Sequence, residues 1–149
     1  MIKAVIIVNT SGKRRLVKFY EELPTTVCDR IVDAVYRECS KRPENSCNFI
    51  ENAGIWEAYR LIYRHYATLY IVFIVDEGEN ELSILDLIQI FVEVLDKVFQ
   101  NVCELDLIFH SEKAYEVLEE IVTGGMVADS QIAEIWRSAD SIIRAQKQS

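Results

Sequence analysis

The chain has 149 residues, of which 50% are hydrophobic and 27% are charged, and its formal net charge is −8. This length suits one compact domain, and so large an apolar fraction in a small domain predicts surface patches that a partner covers. The negative charge argues against nucleic acid and against an anionic membrane surface as the main target, because both require a basic footprint.

No targeting or membrane-spanning segment is predicted. The apolar run at residues 2–8 has little positive charge before it and is followed at once by a turn, unlike a signal peptide. The longest apolar runs, such as residues 69–75, fall well short of the ~20 residues that a membrane-spanning helix needs. We therefore expect a soluble, cytoplasmic protein that associates with membranes only indirectly, through partners.

The first half of the chain predicts strands and one helix. Residues 1–9 and 14–20 form a hairpin, because turn residues separate two apolar runs. A helix follows a threonine N-cap at Thr25 or Thr26, has apolar residues at i, i+4 spacing, and ends near Pro43. Three more strands are predicted, with an irregular connection at 51–58 after the first of them: 48–50, 59–65 and 69–75.

The second half predicts helices. Ser83 caps a helix at 84–99 that is apolar around most of its circumference, and such a helix must be covered on more than one side. An apolar link at 101–109 leads to a helix that Ser111 caps and Gly124-Gly125 closes. Asp129 or Ser130 caps a final amphipathic helix within 130–149.

This order of elements, ββαβββααα, predicts the fold class. Strands joined mainly by short turns, with a long helix between two groups, are typical of an antiparallel sheet packed by helices, so the chain is α+β. No repeat, low-complexity tract or linker divides it, and we expect a single domain over residues 1–149.

The reactive side chains do not form a recognisable active site or metal site. The cysteines lack C-x-x-C spacing and are far in sequence from His65 and His110, so we interpret them as small buried hydrophobic residues in a reducing cytosol. Neither histidine has a serine or cysteine nucleophile in a suitable glycine context. The four cysteines are Cys28, Cys39, Cys47 and Cys103.

Ligand-binding motifs are also lacking. The acidic residues 76–81 do not have the ligand order of a calcium loop and are better interpreted as a solvated turn before the next helix. No phosphate-binding glycine loop occurs. We predict no catalytic residue, no metal and no cofactor.

A basic group at the first hairpin allows two interpretations. In one, the charges protect an edge of the sheet from pairing with another strand. In the other, an arginine with several donors binds an acidic side chain or a phosphate. The group comprises Lys3, Lys13, Arg14, Arg15 and Lys18.

Several long strings resemble the small (sigma) chain of the clathrin-type adaptor complexes. They are MIKAVIIVN at 1–9, the glycine-lysine pair at 12–13 with Arg15-Leu16, KFY at 18–20, YRHYATLY at 63–70, and FVEVLDKVF at 91–99 running into NVCELDLIF at 101–109. Within that family RHYAT at 64–68, LDLIQ at 85–89 and GGMV at 124–127 resemble the sigma chain of adaptor protein complex 3. Residues 52–59 match the family poorly, and the tail beyond Ala128 is individual.

The resemblance implies a longin-like fold, with a five-stranded antiparallel sheet between helices. It also implies a large delta-type adaptin chain as direct partner, and medium mu-type and large beta-type chains in the same complex. The family reads acidic dileucine signals, in which an acidic residue precedes a Leu-Leu or Leu-Ile pair by four positions. The complex would lie on Golgi and endosomal membranes and on transport vesicles.

Matching positions imply a binding site for such signals in the cytosolic tails of membrane cargo. Arg15 matches the basic residue near the acidic position of the signal. Val92, Val102 and Leu107 have an alternative interpretation as core residues, and Asn101 as a helix C-cap. The leucine pockets would involve Ala67, Leu69, Val92, Asn101, Val102 and Leu107.

The sequence thus predicts a non-catalytic adaptor subunit that stabilises a coat complex and helps bind dileucine signals for endosome- or lysosome-directed transport. The alternative is a purely structural longin-fold subunit of a trafficking complex, with no peptide pocket in use.

Overall fold

A computed structural model describes residues 1–42, 49–51, 59–123 and 126–127. Their elements, in chain order, are β1 (Ile2–Asn9), β2 (Arg14–Phe19), α1 (Thr25–Ser40), β3 (Phe49–Glu51), β4 (Tyr59–Tyr66), β5 (Leu69–Asp76), α2 (Glu81–Phe99), α3 (Glu104–Phe109), α4 (Ser111–Ile121), β6 (Val122–Thr123) and β7 (Met126–Val127).

The first five strands form one antiparallel sheet in the order β2-β1-β5-β4-β3. α1 covers one face of this sheet, and α2, α3 and α4 cover the other. Five antiparallel strands between helices confirm the predicted α+β, longin-like architecture.

The central strands, β1 and β5, are buried on both faces. Because successive side chains of a strand point to opposite faces, Val5 packs toward α2 and Ile6 toward α1. On the α2 face the rings of Phe73 and Phe91 lie 6.2 Å apart between centroids. On the α1 face, Val35 of α1 is fully buried in the core cluster that also contains Ile6. The two apolar strands therefore join two core layers.

α2 is covered largely by its own chain. Its buried residues face the sheet and α4, whereas Leu85, Ile90 and Phe99 are half-buried against the same cluster and Leu82 is exposed. α4 therefore supplies part of the second cover that the sequence predicted for this helix.

Three helices, α1, α2 and α4, begin at other residues than predicted. α1 begins at Thr25, and the carbonyl of Pro24 accepts hydrogen bonds from the backbone N–H groups of Val27 and Cys28, so neither threonine is the N-cap. The prediction that Ser83 caps α2 is also wrong. Asn80 is the cap, because its side-chain oxygen accepts from the Ser83 N–H at 3.1 Å and winds the first turn earlier.

The predicted apolar link at 101–109 contains a short helix, α3. The Cys103 N–H donates to the Asp106 carboxylate at 3.0 Å, and the Asp106 N–H donates to the Cys103 carbonyl at 3.1 Å. This reciprocal pairing resembles a capping box, with aspartate three residues after the cap, and it turns the chain before Leu107 enters the core.

α4 ends at Ile121, three residues before the predicted glycine stop. Val122 has extended backbone angles and begins β6, which pairs with β7 in antiparallel register. Ser111 is the first residue of the helix and not its cap, which is His110. The helix therefore ends before Gly124-Gly125, which lie outside the described residues.

Some predictions fall on residues that the structure does not describe. These are the end of the first helix near Pro43, the first residue of the strand predicted at 48–50, the irregular connection within 52–58, and the last helix beyond Val127. Among the helices that are described, none has the length and hydrophobicity to cross a bilayer.

We predict that Phe91→Ala lowers the free energy of unfolding by about 3–5 kcal/mol, because it leaves a cavity beside Phe73. Leu82→Ala is the matched control, since Leu82 is exposed, and it should change stability by about 0.5 kcal/mol or less. Urea unfolding of the purified protein, followed by circular dichroism, measures both. Equal effects would contradict this account of the core.

Candidate functional site

Four of the seven predicted site residues lie together in the core. Leu69 of β5, Val92 of α2, Val102 before α3 and Leu107 of α3 belong to one apolar cluster, and none exposes more than 8% of its surface. The interpretation of Val92, Val102 and Leu107 as core residues is therefore correct for the chain in this conformation, and Leu69 is buried with them. A ligand reaches them only if neighbouring side chains move aside.

Ala67 lies at the tip of the β4–β5 hairpin and is exposed. Tyr66 pairs with Leu69, so the loop has two residues, and Ala67 has a φ of 51°. A positive φ at this position is what two-residue hairpins require. The Thr10 N–H donates to the Thr68 carbonyl at 2.9 Å, which joins this turn to the β1–β2 turn at one end of the sheet.

Asn101 is exposed and takes part in ending α2. Gln100 is the C-cap, and both Gln100 and Asn101 have positive φ, of 55° and 75°. The Asn101 N–H donates to the Asp96 carbonyl at 2.9 Å. The interpretation of Asn101 as the C-cap is thus wrong by one residue, because Gln100 is the cap and Asn101 follows it.

The Asp96 carboxylate connects the parts of the site, and the sequence did not single it out. It accepts a hydrogen bond from the Tyr66 hydroxyl at 2.9 Å and another from the Val102 N–H at 3.0 Å. Burial, the hydrogen bond to Asp96 and the charge of that carboxylate raise the pKa of the Tyr66 phenol. One side chain therefore ties the β4–β5 hairpin to the link before α3.

A bulge in β2 places Arg15. Ile7 pairs with Leu16 and Val8 pairs with Arg14, so Arg15 is the extra residue between them. A bulge bends a strand and redirects its side chains. Arg14 consequently points toward α1, whereas Arg15 points toward α3.

Arg15 meets an acid of its own chain. Its Nη2 lies 3.5 Å from Oε2 of Glu104, and the side chains are 17% and 24% exposed, respectively. The same carboxylate oxygen lies 3.5 Å from Nδ2 of the buried Asn9. The Nε of Arg15 is buried and has no hydrogen-bond partner within the described part of the chain.

The other basic residues of the hairpin do not converge on one anion site. Arg14 pairs with Asp29 at 2.6 Å on the α1 face. Because β2 is an edge strand, its charged side chains fit the first interpretation, protection of a sheet edge. The remaining pairs are Lys3 with Glu21 at 2.7 Å and Lys18 with Glu119 at 3.8 Å.

The cysteines are only partly as predicted. Cys39 is buried in the α1 core, and burial raises the pKa of its thiol to about 12. Cys28 is half-buried, and Cys103 is exposed because it lies at the cap of α3, so for Cys103 the prediction of burial is wrong. Cys47 lies outside the described residues.

The histidines lie in aromatic surroundings. His65 is 4.7 Å from the Tyr70 ring and His110 is 6.4 Å from the Phe99 ring, measured between centroids. Across the described ranges, no cluster of three or more His, Cys, Asp or Glu side chains is arranged to hold a metal ion.

The amino-acid sequence matches one family over nearly its whole length. The family of the clathrin adaptor complex small chain matches residues 1–146. The chain therefore belongs to the clathrin adaptor complex small chain family.

Several proteins that are similar to this chain are sigma subunits of AP-3 complexes. The chain is 50% identical to AP-3 complex subunit sigma-2 of Homo sapiens, over 99% of this chain and 77% of that protein. It is 48% identical to AP-3 complex subunit sigma of Schizosaccharomyces pombe, over 100% of this chain and 90% of that protein. A chain in a homology model of the full-length AP-3 complex in a stretched open conformation is 41% identical, has a TM-score of 0.73, and is matched over 99% of this chain and 96% of its own length.

These similarities confirm the resemblance read from the sequence. The chain is an adaptor small chain of the AP-3 sigma type. Small chains of this family are structural subunits of vesicle-trafficking complexes and not enzymes.

We predict that Asp96→Ala lowers the free energy of unfolding by about 1–3 kcal/mol, because it leaves the Tyr66 hydroxyl and the Val102 N–H without their acceptor. Glu93→Ala, on the exposed side of the same helix, should cost about 0.5 kcal/mol or less. Combining Asp96→Ala with Tyr66→Phe should cost less than the sum of the two, as thermal or urea unfolding will measure. Strict additivity would show that the two side chains are not coupled.

Proposed function

We propose that the chain is the small subunit of a heterotetrameric AP-3-type adaptor. There it stabilises the core of the complex and helps bind acidic dileucine signals of membrane cargo for endosome- or lysosome-directed transport. The supporting observation is that the β4–β5 turn, the end of α2 and the start of α3 meet at the end of the sheet near Arg15. The similarity to AP-3 sigma subunits over nearly the whole chain supports the type of complex.

Leucine burial would provide most of the affinity. Each leucine of the signal gains roughly 1.5–3 kcal/mol if it is fully removed from water. In this proposal the two leucines insert beside Leu69, Val92, Val102 and Leu107, whose side chains already pack together in one apolar cluster. Because these side chains are buried, part of the gain is spent on opening the cluster, which makes binding weak and reversible.

Arg15 would bind the acidic residue of the signal. Its guanidinium is the basic group of the first hairpin that points toward α3 and Leu107. Because a partly exposed ion pair is worth only about 0–1 kcal/mol, this contact adds preference for an acidic residue more than affinity.

The direct partner in this proposal is the large delta-type adaptin chain. Within the described residues, exposed large apolar side chains are concentrated on α3, where Leu105 is 60% exposed, Ile108 44% and Phe109 73%. Three large apolar residues on one short helix are typical of a protein interface. The mu-type and beta-type chains complete the complex, which holds the small chain at Golgi and endosomal membranes and on vesicles.

A purely structural subunit is the second candidate. The observation that favours it is the burial of the four apolar site residues, which closes the predicted leucine site within the described part of the chain. Titrating the purified complex with a dileucine peptide separates the two functions, since a structural subunit shows no saturable binding. Val92→Asp is unsuitable for this test, because an unpaired carboxylate in the core would destabilise the fold itself.

We expect Arg15→Gln to weaken binding of a peptide with the acidic residue by about fivefold or less, and to leave its alanine counterpart unchanged. The reason is that only the acidic peptide uses the charge. Arg14→Gln is the control, because Arg14 pairs with Asp29 on the opposite face. Isothermal titration of the assembled complex measures the affinities, and equal losses for both peptides would refute the role of Arg15.

We expect Phe109→Asp to reduce co-purification with the large chain, because it places a charge in the centre of the exposed apolar surface of α3. Leu82→Asp, an equally drastic change at an exposed residue of α2, should have little effect. Pull-down from cells that co-express the four chains measures assembly. Unchanged recovery of Phe109→Asp, with Leu82→Asp as reference, would place the interface elsewhere.

A further inference from the structure

Arg15 is already neutralised by a carboxylate of the same chain. Glu104 is the first residue of α3, and its Oε2 lies 3.5 Å from the Arg15 Nη2. An incoming acidic residue would therefore meet a cation and an anion side by side. Attraction to Arg15 and repulsion from Glu104 act over similar distances, so the two largely cancel while Glu104 stays in place.

The contact between the two residues is weak enough to be exchanged. It joins one nitrogen to one oxygen at 3.5 Å, which is long for a charged hydrogen bond and is not the bidentate arrangement that arginine forms with a carboxylate at its best. The buried Nε has no partner in the described part of the chain, so the guanidinium retains unused donor capacity. A carboxylate with better geometry can replace Glu104.

Glu104 also has a second holding point on the chain. The Asn9 amide, which is buried at the β1–β2 turn, lies 3.5 Å from the same Oε2. The Asn9 side-chain oxygen is committed to the backbone N–H groups of Ser11 and Lys13, at 2.9 and 2.8 Å, so its amide nitrogen is fixed toward α3. Asn9 thus keeps the Glu104 carboxylate beside Arg15 in the absence of a ligand.

We propose that Glu104 is an internal counter-anion that competes with the acidic residue of the sorting signal for Arg15, and so sets how strongly this chain prefers an acidic signal. This inference rests on the proposed function. The acidic residue of the signal displaces Glu104 from Arg15. A signal with a neutral residue at that position leaves the Arg15–Glu104 pair intact and binds through its leucines alone.

The test is Glu104→Gln in the assembled complex, titrated with an acidic dileucine peptide and with its alanine counterpart. Glutamine keeps the shape and an acceptor for Asn9 and removes only the charge. We expect the acidic peptide to bind about threefold to fivefold more tightly and the alanine peptide to bind unchanged. Tightening should be much smaller in an Arg15→Gln background, because the competition requires Arg15 and only the repulsion from Glu104 remains to be relieved.

Glu119→Gln is the matched control. It removes a carboxylate that pairs with Lys18, which lies on β2 as Arg15 does. It changes the net charge by the same amount as Glu104→Gln. It should leave both affinities unchanged. If both peptides tighten equally in Glu104→Gln, or if the acidic peptide weakens, Glu104 is a general charge effect or a support for Arg15, and the proposal is overturned.

Failure of this inference is distinct from failure of the proposed function. If the wild-type complex prefers the acidic peptide and Glu104→Gln does not alter that preference, only the counter-anion is refuted. If the wild-type complex binds neither peptide, both are refuted. Should Glu104→Gln fail to assemble, Glu104→Asp retracts the carboxylate by one methylene and should shift the preference in the same direction by a smaller factor.

Discussion

The burial of β1 and β5 on both faces is the constraint on which the rest of the structure depends. Two adjacent apolar strands at the centre of the sheet require helices above and below, and α1 on one side and α2 to α4 on the other meet that requirement. This packing also holds the β1–β2 and β4–β5 turns close to the start of α3. The position of each candidate site residue follows from this packing, because each residue lies on or next to a helix or strand that packs against β1 or β5.

Much of the fold was predictable, because it depends on local pattern. The strands and the long helices were found from apolar runs, i, i+4 spacing and turn residues. The errors fall where one side chain decides the boundary: Asn80 starts α2 three residues before Ser83 would, and Asp106 converts an apparent link into α3. Both signals are present in the sequence as an asparagine before a helix and an aspartate three residues after Cys103, but apolar spacing alone does not reveal them.

The site was predictable only through family resemblance. No local pattern relates Asp96 to Tyr66, which is 30 residues away, and on a helical wheel Asp96 belongs to a solvated stripe. The pairing of Arg15 with Glu104 depends on a bulge, because in an unbroken β2 Arg15 would face away from α3, opposite to its neighbour Leu16, which packs on the α3 side of the sheet. Long-range register decides these contacts, and register emerges only when the sheet has formed.

The hydrogen bond between Thr10 and Thr68 has a consequence for tolerance to sequence change. It joins the β1–β2 and β4–β5 turns at one end of the sheet, whereas the chain enters β4 at Tyr59, beside the end of β5 at Asp76. With eight residues in β4 at ~3.3 Å each, the two ends are about 25 Å apart. Substitutions at the Tyr59 end of β4 are therefore too far from the candidate site to contact it, and any effect they have on binding must act through the fold.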